Sequence, residues 1–379
     1  MKILYASHTY IVGENQKKLT AIAAKGGIEL SVVVPHVWKE PILTTIYPFV
    51  DKDERASIKV FPTKIILPGN EMRFMYMSLD LYLPKVQPDI IVVENGAGAL
   101  NYTQFLLYKR MFAPQAKVVF FTWWNIPYKQ RQPFRAIESY NIKSTDGAIV
   151  GNKDAEFVLR QQGYDGPLIR LPQLGVDTTV FVPENTVNLQ NRLDLGDFVI
   201  GFVGRLVPEK GIQVLMDALD RFDGKFDLVI LGAGEMDKQI RKWSDGLSVG
   251  RNVHLYESVT HDQVPSVLRL MDLLVLPSLT TENWKEQFGH VLIEAMSCEV
   301  AVIGSDSAEI PNVIGDSGIV VPENDPKELC DAICQLAKDS IYRNQLAAKG
   351  RERVLEKYTH EKIADKTVMF FEELLSKQN

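Results

Sequence analysis

The stretch Leu273-Leu274-Val275-Leu276-Pro277-Ser278 is followed by a polar loop from Leu279 to Lys285. Then come Glu286-Gln287-Phe288-Gly289 and an apolar segment from His290 to Cys298. The first four residues form an apolar run stopped by proline, which reads as a buried strand. His290 to Cys298 reads as a helix, and a second apolar run, Val300 to Gly304, follows it. Strand, loop, helix, strand is the repeating unit of a parallel sheet with helical crossovers. Two carboxylates punctuate it. Glu286 and Glu294 stand eight positions apart, about 12 Å along a helix axis at ~1.5 Å per residue. With Glu286 in the loop before the helix, both can face one crevice and hold the two ends of a long polar ligand. The ligand's middle then lies at the helix N-terminus near Phe288 and Gly289. Free backbone N–H groups and the helix dipole favour an anion there, and glycine lets it come close.

The same alternation extends in both directions. Toward the N-terminus, strands are expected at Ile3–Ser7, Leu30–Pro35, Ile58–Phe61, Ile90–Glu94, Val118–Thr122 and Ala148–Gly151, with helices such as Gln16–Lys25, Tyr102–Phe112 and Ala155–Gln162 between them. Around the opening stretch, strands are expected at Phe198–Val203, Leu228–Gly232, Val253–Tyr256, Leu273–Leu276, Val300–Ile303 and Ile319–Val321. Most are continuous Val/Ile/Leu runs without polar alternation, so both sheet faces are covered. Residues 168–183, punctuated by Pro172, Gly175 and Pro183, read as a linker, and a loose polar stretch runs on from Glu184 to Gly196. The fold class is therefore α/β, with two doubly wound units facing a central cleft. The first spans 1–175 and the second 176–358, and a C-terminal helix within 359–379 returns to the first. Ligands bind beyond the carboxyl ends of strands in such sheets, and the linker is the expected hinge.

Composition sets limits. The chain has 379 residues, 46% hydrophobic and 24% charged, enough for two or three domains with large cores. It lacks any run of roughly 18 apolar residues, so no membrane span is expected. Cys298, Cys330 and Cys334 are an odd count, which fits a reducing, cytoplasmic setting. The Cys330/Cys334 pair has no companion ligand in sequence and reads as core packing. The net charge of −6 conceals an asymmetry. Residues 1–165 hold 20 Lys+Arg against 15 Asp+Glu, a balance of +5, which leaves −11 for residues 166–379. A basic first half suits an anionic acceptor or peripheral contact with a membrane surface, or is simply a solvated face. Nucleic acid is not expected as a partner.

The second unit opens with Phe198-Val-Ile-Gly-Phe-Val-Gly204-Arg205-Leu-Val-Pro-Glu-Lys210-Gly211. A strand ends at Gly204, and two cations precede a helix. Arg205 can bridge phosphate oxygens with its planar fork, and Lys210 adds a point charge. One literal Asp51-Lys52-Asp53 occurs, but it heads a charged run and reads as a solvated turn, so no metal is expected.

Five ordered motifs now stand together: Gly204-Arg205-Leu-Val-Pro-Glu-Lys210-Gly211, Leu231-Gly-Ala-Gly-Glu235, Pro277-Ser278, Glu286 with Phe288-Gly289, and Glu294-Ala-Met296. This chain resembles the retaining nucleotide-sugar glycosyltransferases of family four, which have the GT-B fold of two Rossmann-like domains. The likeness is strong over roughly residues 145–335 and weak before it. It implies transfer of a sugar from a nucleoside-diphosphate sugar to a glycan, lipid-linked or small-molecule acceptor, as in polysaccharide biosynthesis, without cofactor or metal. It implies that Arg205 and Lys210 hold the diphosphate beside Gly204, that Glu286 and the Phe288–Gly289 backbone hold the donor sugar, and that Glu294 holds the ribose. Val291, Ser258 and Val259 would lie near ribose or base. Gly13 would approach the diphosphate from the first domain, although relatives often carry paired glycines where this chain has Val12-Gly13-Glu14. Many relatives place a histidine after the strand that here ends in Thr122-Trp123-Trp124-Asn125. Asn125 stands in its place with Trp124 as a stacking wall, and His8 is the remaining acceptor-side candidate. The basic, aromatic segment Tyr128–Arg135, with Lys109 and Arg110, suits an anionic acceptor or a solvated helix start. Two alternatives share the fold: a nucleotide-sugar epimerase or hydrolase, and a catalytically silent binding subunit.

Overall fold

The computed structural model describes residues 1–39, 45–51, 58–79, 83–184, 195–196, 198–257 and 259–376. Lys52 and Asp53 of the Asp51-Lys52-Asp53 run lie outside the described residues, as do Ser258 and most of the loose stretch after Glu184. The chain divides into two units, one of Met1–Gly175 with His360–Asn379 and the other of Val176–Thr359.

In the first unit the strands are β1 (Lys2–Ala6), β2 (Glu29–Pro35), β3 (Trp38–Lys39), β4 (Thr45–Ile46), β5 (Ile58–Thr63), β6 (Ile65–Ile66), β7 (Met75–Tyr76), β8 (Ile90–Val93), β9 (Lys117–Thr122), β10 (Gly147–Val150) and β11 (Leu168–Arg170). Among the described residues, seven form a parallel sheet in the order β11-β10-β9-β8-β1-β2-β5. The pairs β3/β4 and β6/β7 are short antiparallel additions. Every residue of β8 is buried because both faces are covered. Leu4, Ile91, Val93 and Phe120 belong to one core layer, with Tyr102 and Phe105 from the helix Leu100–Phe112. Ile3, Tyr5, Ile90 and Val92 belong to the other. There the C-terminal helix His360–Ser376 packs Ala364, Phe370, Phe371 and Leu374 beside Leu19 and Ile22 of the helix Lys17–Ala23. Lys25 and Asp365 pair across these helices at 2.6 Å.

One expectation needs correcting. Residues 168–170 are not linker but β11, the edge strand paired in parallel with Ala148–Val150 of β10. Leu168-Ile169-Arg170 is too short to show a period, and the nearby Pro167 and Pro172 mask it.

In the second unit the strands are β12 (Val199–Val203), β13 (Phe226–Leu231), β14 (Arg251–Tyr256), β15 (Leu273–Leu276), β16 (Ala301–Ser305) and β17 (Ile319–Val321). They form a parallel sheet in the order β14-β13-β12-β15-β16-β17. Leu273 and Val275 join the core beneath the helices Ile212–Arg221 and Pro326–Lys338. Leu274 and Leu276 are as deeply buried but point the other way, where the helices His290–Ser297 and Ser340–Lys357 pack together. Burial on both sides explains the unbroken apolar run. The chain leaves β12 toward β13 on one side and β15 toward β16 on the other, although β12 and β15 are neighbours. This reversal of strand order makes β12 and β15 the switch point of the sheet, the place where ligands bind in such folds.

Candidate functional site

The second unit's switch point gathers the residues of the opening stretch. After β12 the chain turns through Gly204, and Leu206 N donates to Ala233 O in the loop after β13 at 2.9 Å. A short turn, Pro208–Lys210, then delivers Lys210. Gly211 takes a left-handed φ of 73° and lies against the loop after β15, where a Cβ would stand 1.8 Å from Pro277 O. Leu279 N donates to Glu209 O at 2.8 Å, closing the two loops side by side.

Between them lies an ion pair. Lys210 Nζ is 2.6 Å from Glu286 Oε2, with the two side chains 16% and 8% exposed. Ser278 Oγ donates to the same oxygen at 2.9 Å, and the Lys210 ammonium lies 5.0 Å from the centre of the Trp284 ring. The residues expected to hold diphosphate and sugar separately are thus one unit, with the lysine held in place by the glutamate. Ser278 and Trp284 complete it. The signal for Ser278 was its place directly after a buried strand. Trp284 had none beyond being a large aromatic in a polar loop.

Gly289 takes a left-handed φ of 81° and starts the helix His290–Ser297. No side chain caps that helix, and Leu292 N donates to Gly289 O at 2.9 Å to close its first turn. Phe288 is buried edge-on against Tyr358, with ring centres 5.7 Å apart. It anchors the turn, and only its backbone is left for binding. Just over one turn into the helix stands Glu294. It is half-buried, and among the described residues its carboxylate has no hydrogen-bond or ion-pair partner. Burial alone pushes its pKa up from 4.5 to about 7, since desolvation disfavours the charged form. Val291 and Val259 are half-buried. Arg205 is 57% exposed and only loosely held by Glu209, at 3.6 Å.

The first unit has its own switch point, between β1 and β8. His8, after β1, stacks on Trp38 with ring centres 4.6 Å apart and lies 3.7 Å from Glu71. Behind it is a sealed network that the sequence did not announce. Lys18 pairs with Glu94 at 3.0 Å with side chains 2% and 0% exposed, and Glu94 also accepts from Tyr10 (2.8 Å) and Gln173 (2.8 Å). Trp123 donates to Gln173 at 3.0 Å and stands edge-on to Phe121, so it is a packing residue. Trp124 is 49% exposed, with its indole N–H fixed on Ile126 O at 2.6 Å and its ring edge-on to Tyr128. Asn125 is buried beside it. Gly13 has an ordinary helical φ of −59°, and the Phe49 ring covers it, 2.9 Å from where a Cβ would be. Of the basic residues nearby, Lys109 is held by Asp146 at 3.1 Å and Arg110 lies over Tyr140. Lys129, Arg131 and Arg135 are exposed.

Among the described residues no group of three or more His, Cys, Asp or Glu side chains converges as for a metal, and no helix is long and apolar enough to cross a membrane. The sulfurs of Cys330 and Cys334 lie 4.0 Å apart within the second unit's core.

Comparison with known proteins follows the same lines. Residues 186–353 match the family described as Glycosyl transferases group 1. An uncharacterized glycosyltransferase of Methanocaldococcus jannaschii is 31% identical over 195 residues, 50% of this chain and 52% of its own length. The alpha-maltose-1-phosphate synthase of Mycolicibacterium smegmatis is 26% identical over 62% of this chain and 65% of its own length. A GDP-mannose-dependent alpha-(1-6)-phosphatidylinositol monomannoside mannosyltransferase of Mycobacterium tuberculosis is 30% identical over 54% and 56%. The chain thus spans between 52% and 65% of the curated relatives it matches first. Among solved structures, sucrose-phosphate synthase from Thermosynechococcus elongatus aligns over 100% of both chains with a TM-score of 0.75 and 18% identity. HepE of Anabaena, in complex with UDP, aligns over 98% of this chain and 100% of its own with a TM-score of 0.70 and 16% identity. The shared fold is GT-B, with two Rossmann-like domains.

Proposed function

We propose that this chain, whose residues 186–353 are a glycosyl transferases group 1 domain, moves a sugar from a nucleoside-diphosphate sugar to a glycan, lipid-linked or small-molecule acceptor. The transfer retains anomeric configuration and needs no metal. The observation that carries this reading is the pairing of two unlike carboxylates at one switch point. Glu286 is locked onto Lys210, while Glu294, eight residues on, has no partner among the described residues. A ribose diol can satisfy Glu294, and a diphosphate between the two glutamates meets Lys210, Arg205 and the helix start at Gly289. Val291 and Val259 then flank the ribose or base.

In the reaction the bond between the anomeric carbon and the phosphate oxygen breaks. The nucleoside diphosphate leaves with the electron pair, and the sugar gains oxocarbenium character. Lys210, already held in position by Glu286, stabilises the growing charge with no rearrangement, and the exposed Arg205 adds to it. The acceptor hydroxyl attacks from the face the diphosphate leaves, and its proton passes to the departing phosphate oxygen. Glu286 orients the sugar and Lys210 and is not a covalent nucleophile. Trp124, Asn125 and His8 serve the acceptor in the first unit. Exposed Lys129, Arg131 and Arg135 suit an anionic acceptor or a membrane surface touched from the cytoplasm.

The test is a thermal-shift panel of UDP-, GDP-, ADP- and TDP-sugars against wild type and Glu286→Gln. A ligand of the native state raises the melting temperature by mass action. One donor should stabilise the wild type, and the variant should lose the part of the shift that depends on the sugar. If no nucleotide or nucleotide sugar shifts the protein at millimolar concentration, the proposal fails. The anomeric configuration of the product, read by NMR, decides retention, and turnover in excess chelator decides the metal.

A further inference from the structure

The C-terminal helix His360–Ser376 buries Ala364, Phe371 and Leu374 in the first unit's core. Its outer face runs beside the sheet edge at β11, and the two form a groove lined by Leu168, Ile169, Lys366, Met369, Phe370 and Glu373. Met369 is 59% exposed in the middle of it. Among the described residues neither the Lys366 ammonium nor the Glu373 carboxylate has a partner. An exposed methionine between two uncommitted opposite charges, beside an open strand edge, is more than a solvated face.

The pattern is self-complementary. Lys366 and Glu373 are seven positions apart, roughly 10 Å along the helix, with Met369 between them. Consider a second copy of the helix laid antiparallel about a twofold axis passing between Met369 and Phe370. Each Lys366 then faces Glu373 of the other copy, and the two Met369 side chains meet at the axis. A parallel arrangement would set lysine against lysine, so charge selects the antiparallel one. An extended peptide added to the sheet edge fits less well. β11 offers three residues, about 10 Å of edge at ~3.3 Å per residue, and Pro167 before it has no N–H to donate.

We propose that this face seats a second copy of the chain in an isologous dimer. The helix has 17 residues, so the contact strip is about 26 Å long. That is short of what a permanent dimer buries, so association depends on concentration. Sedimentation velocity of the full chain across the micromolar range tests it. Wild type should pass from monomer to dimer, and Lys366→Glu should stay monomeric throughout. The double exchange Lys366→Glu with Glu373→Lys should dimerise again. Because both side chains are exposed, all three proteins should melt together at concentrations where wild type is monomeric, which separates loss of contact from loss of fold. A wild type that remains monomeric, a dimer that survives Lys366→Glu, or a double exchange that fails to restore association each overturns the proposal.

Discussion

Each unit carries a lysine–glutamate pair at the switch point of its sheet, and the two pairs differ in what surrounds them. In the first unit Lys18–Glu94 is sealed, with both side chains almost wholly out of solvent and the carboxylate also bonded by Tyr10 and Gln173. In the second unit Lys210–Glu286 is shallower, at 16% and 8% exposure, and the helix that follows has no side-chain cap and carries Glu294, whose carboxylate has no partner among the described residues. The same chemistry plugs one crevice and furnishes the other. A charge pair whose every bond is met within the protein holds structure. One that stands next to unmet donors and acceptors is ready for a ligand.

The largest effect that could break this contrast is on stability. Glu94→Ala leaves Lys18 charged and buried, and unfolding by urea should show a loss of about 3–5 kcal/mol. Replacing both partners with apolar residues, Lys18→Met with Glu94→Leu, should recover only part of it, because the buried charge is gone but Tyr10 and Gln173 still lose their acceptor. If Glu94→Ala costs no more than Glu286→Ala, the sealed and open pairs are alike after all. Next comes catalysis. Lys210→Ala should lower kcat/KM by about a hundred- to a thousandfold, as loss of one preorganised charge-stabilising group does, with a smaller loss of stability than at Glu94.

A third expectation concerns Glu294. If, as proposed, a ribose diol bonds the ionised carboxylate, nucleotide affinity measured by calorimetry should climb as pH rises through about 7. In Glu294→Gln the step should be absent and affinity about tenfold lower, the worth of one charged hydrogen bond. Stability runs the other way. Between 4.5 and about 7 the folded chain keeps a proton that the unfolded chain has lost, so this group's contribution falls as pH rises across that window and then levels. Glu294→Gln should remove the decline. The smallest effect is at Trp124. Trp124→Ala should raise the acceptor KM a few-fold through lost aromatic contact while leaving the donor Kd unchanged.

The two doubly wound sheets were legible because burial on both faces writes itself as unbroken runs such as Leu273 to Leu276. Helix ends were close: the segment read from His290 to Cys298 is helical from His290 to Ser297, one residue shorter. β11 was not legible, since three residues between prolines show no pattern. At the site, the spacing of Glu286 and Glu294 could be read because a helix converts sequence distance into length. The Lys210–Glu286 bond could not, because its partners are 76 positions apart and meet only through the order of strands. The Lys18–Glu94–Gln173 network was hidden for the same reason, with 79 positions between Glu94 and Gln173. Trp123 and Trp124 are adjacent in sequence, and only the fold could say which one packs and which one faces out.

The contact of Gly211 with Pro277 has a further consequence. The loops that deliver Lys210 and Ser278 touch main chain to main chain, with no rotamer between them. A side chain at that seam could neither be trimmed to widen the crevice nor swung aside to admit a bulkier ligand. Even a single methyl group there would have to displace a whole strand end. If the proposed function holds, engineering a new donor preference would therefore have to proceed from other positions, such as Val259, Val291 and Trp284. The inner joint works as a fixed gauge against which every ligand is measured.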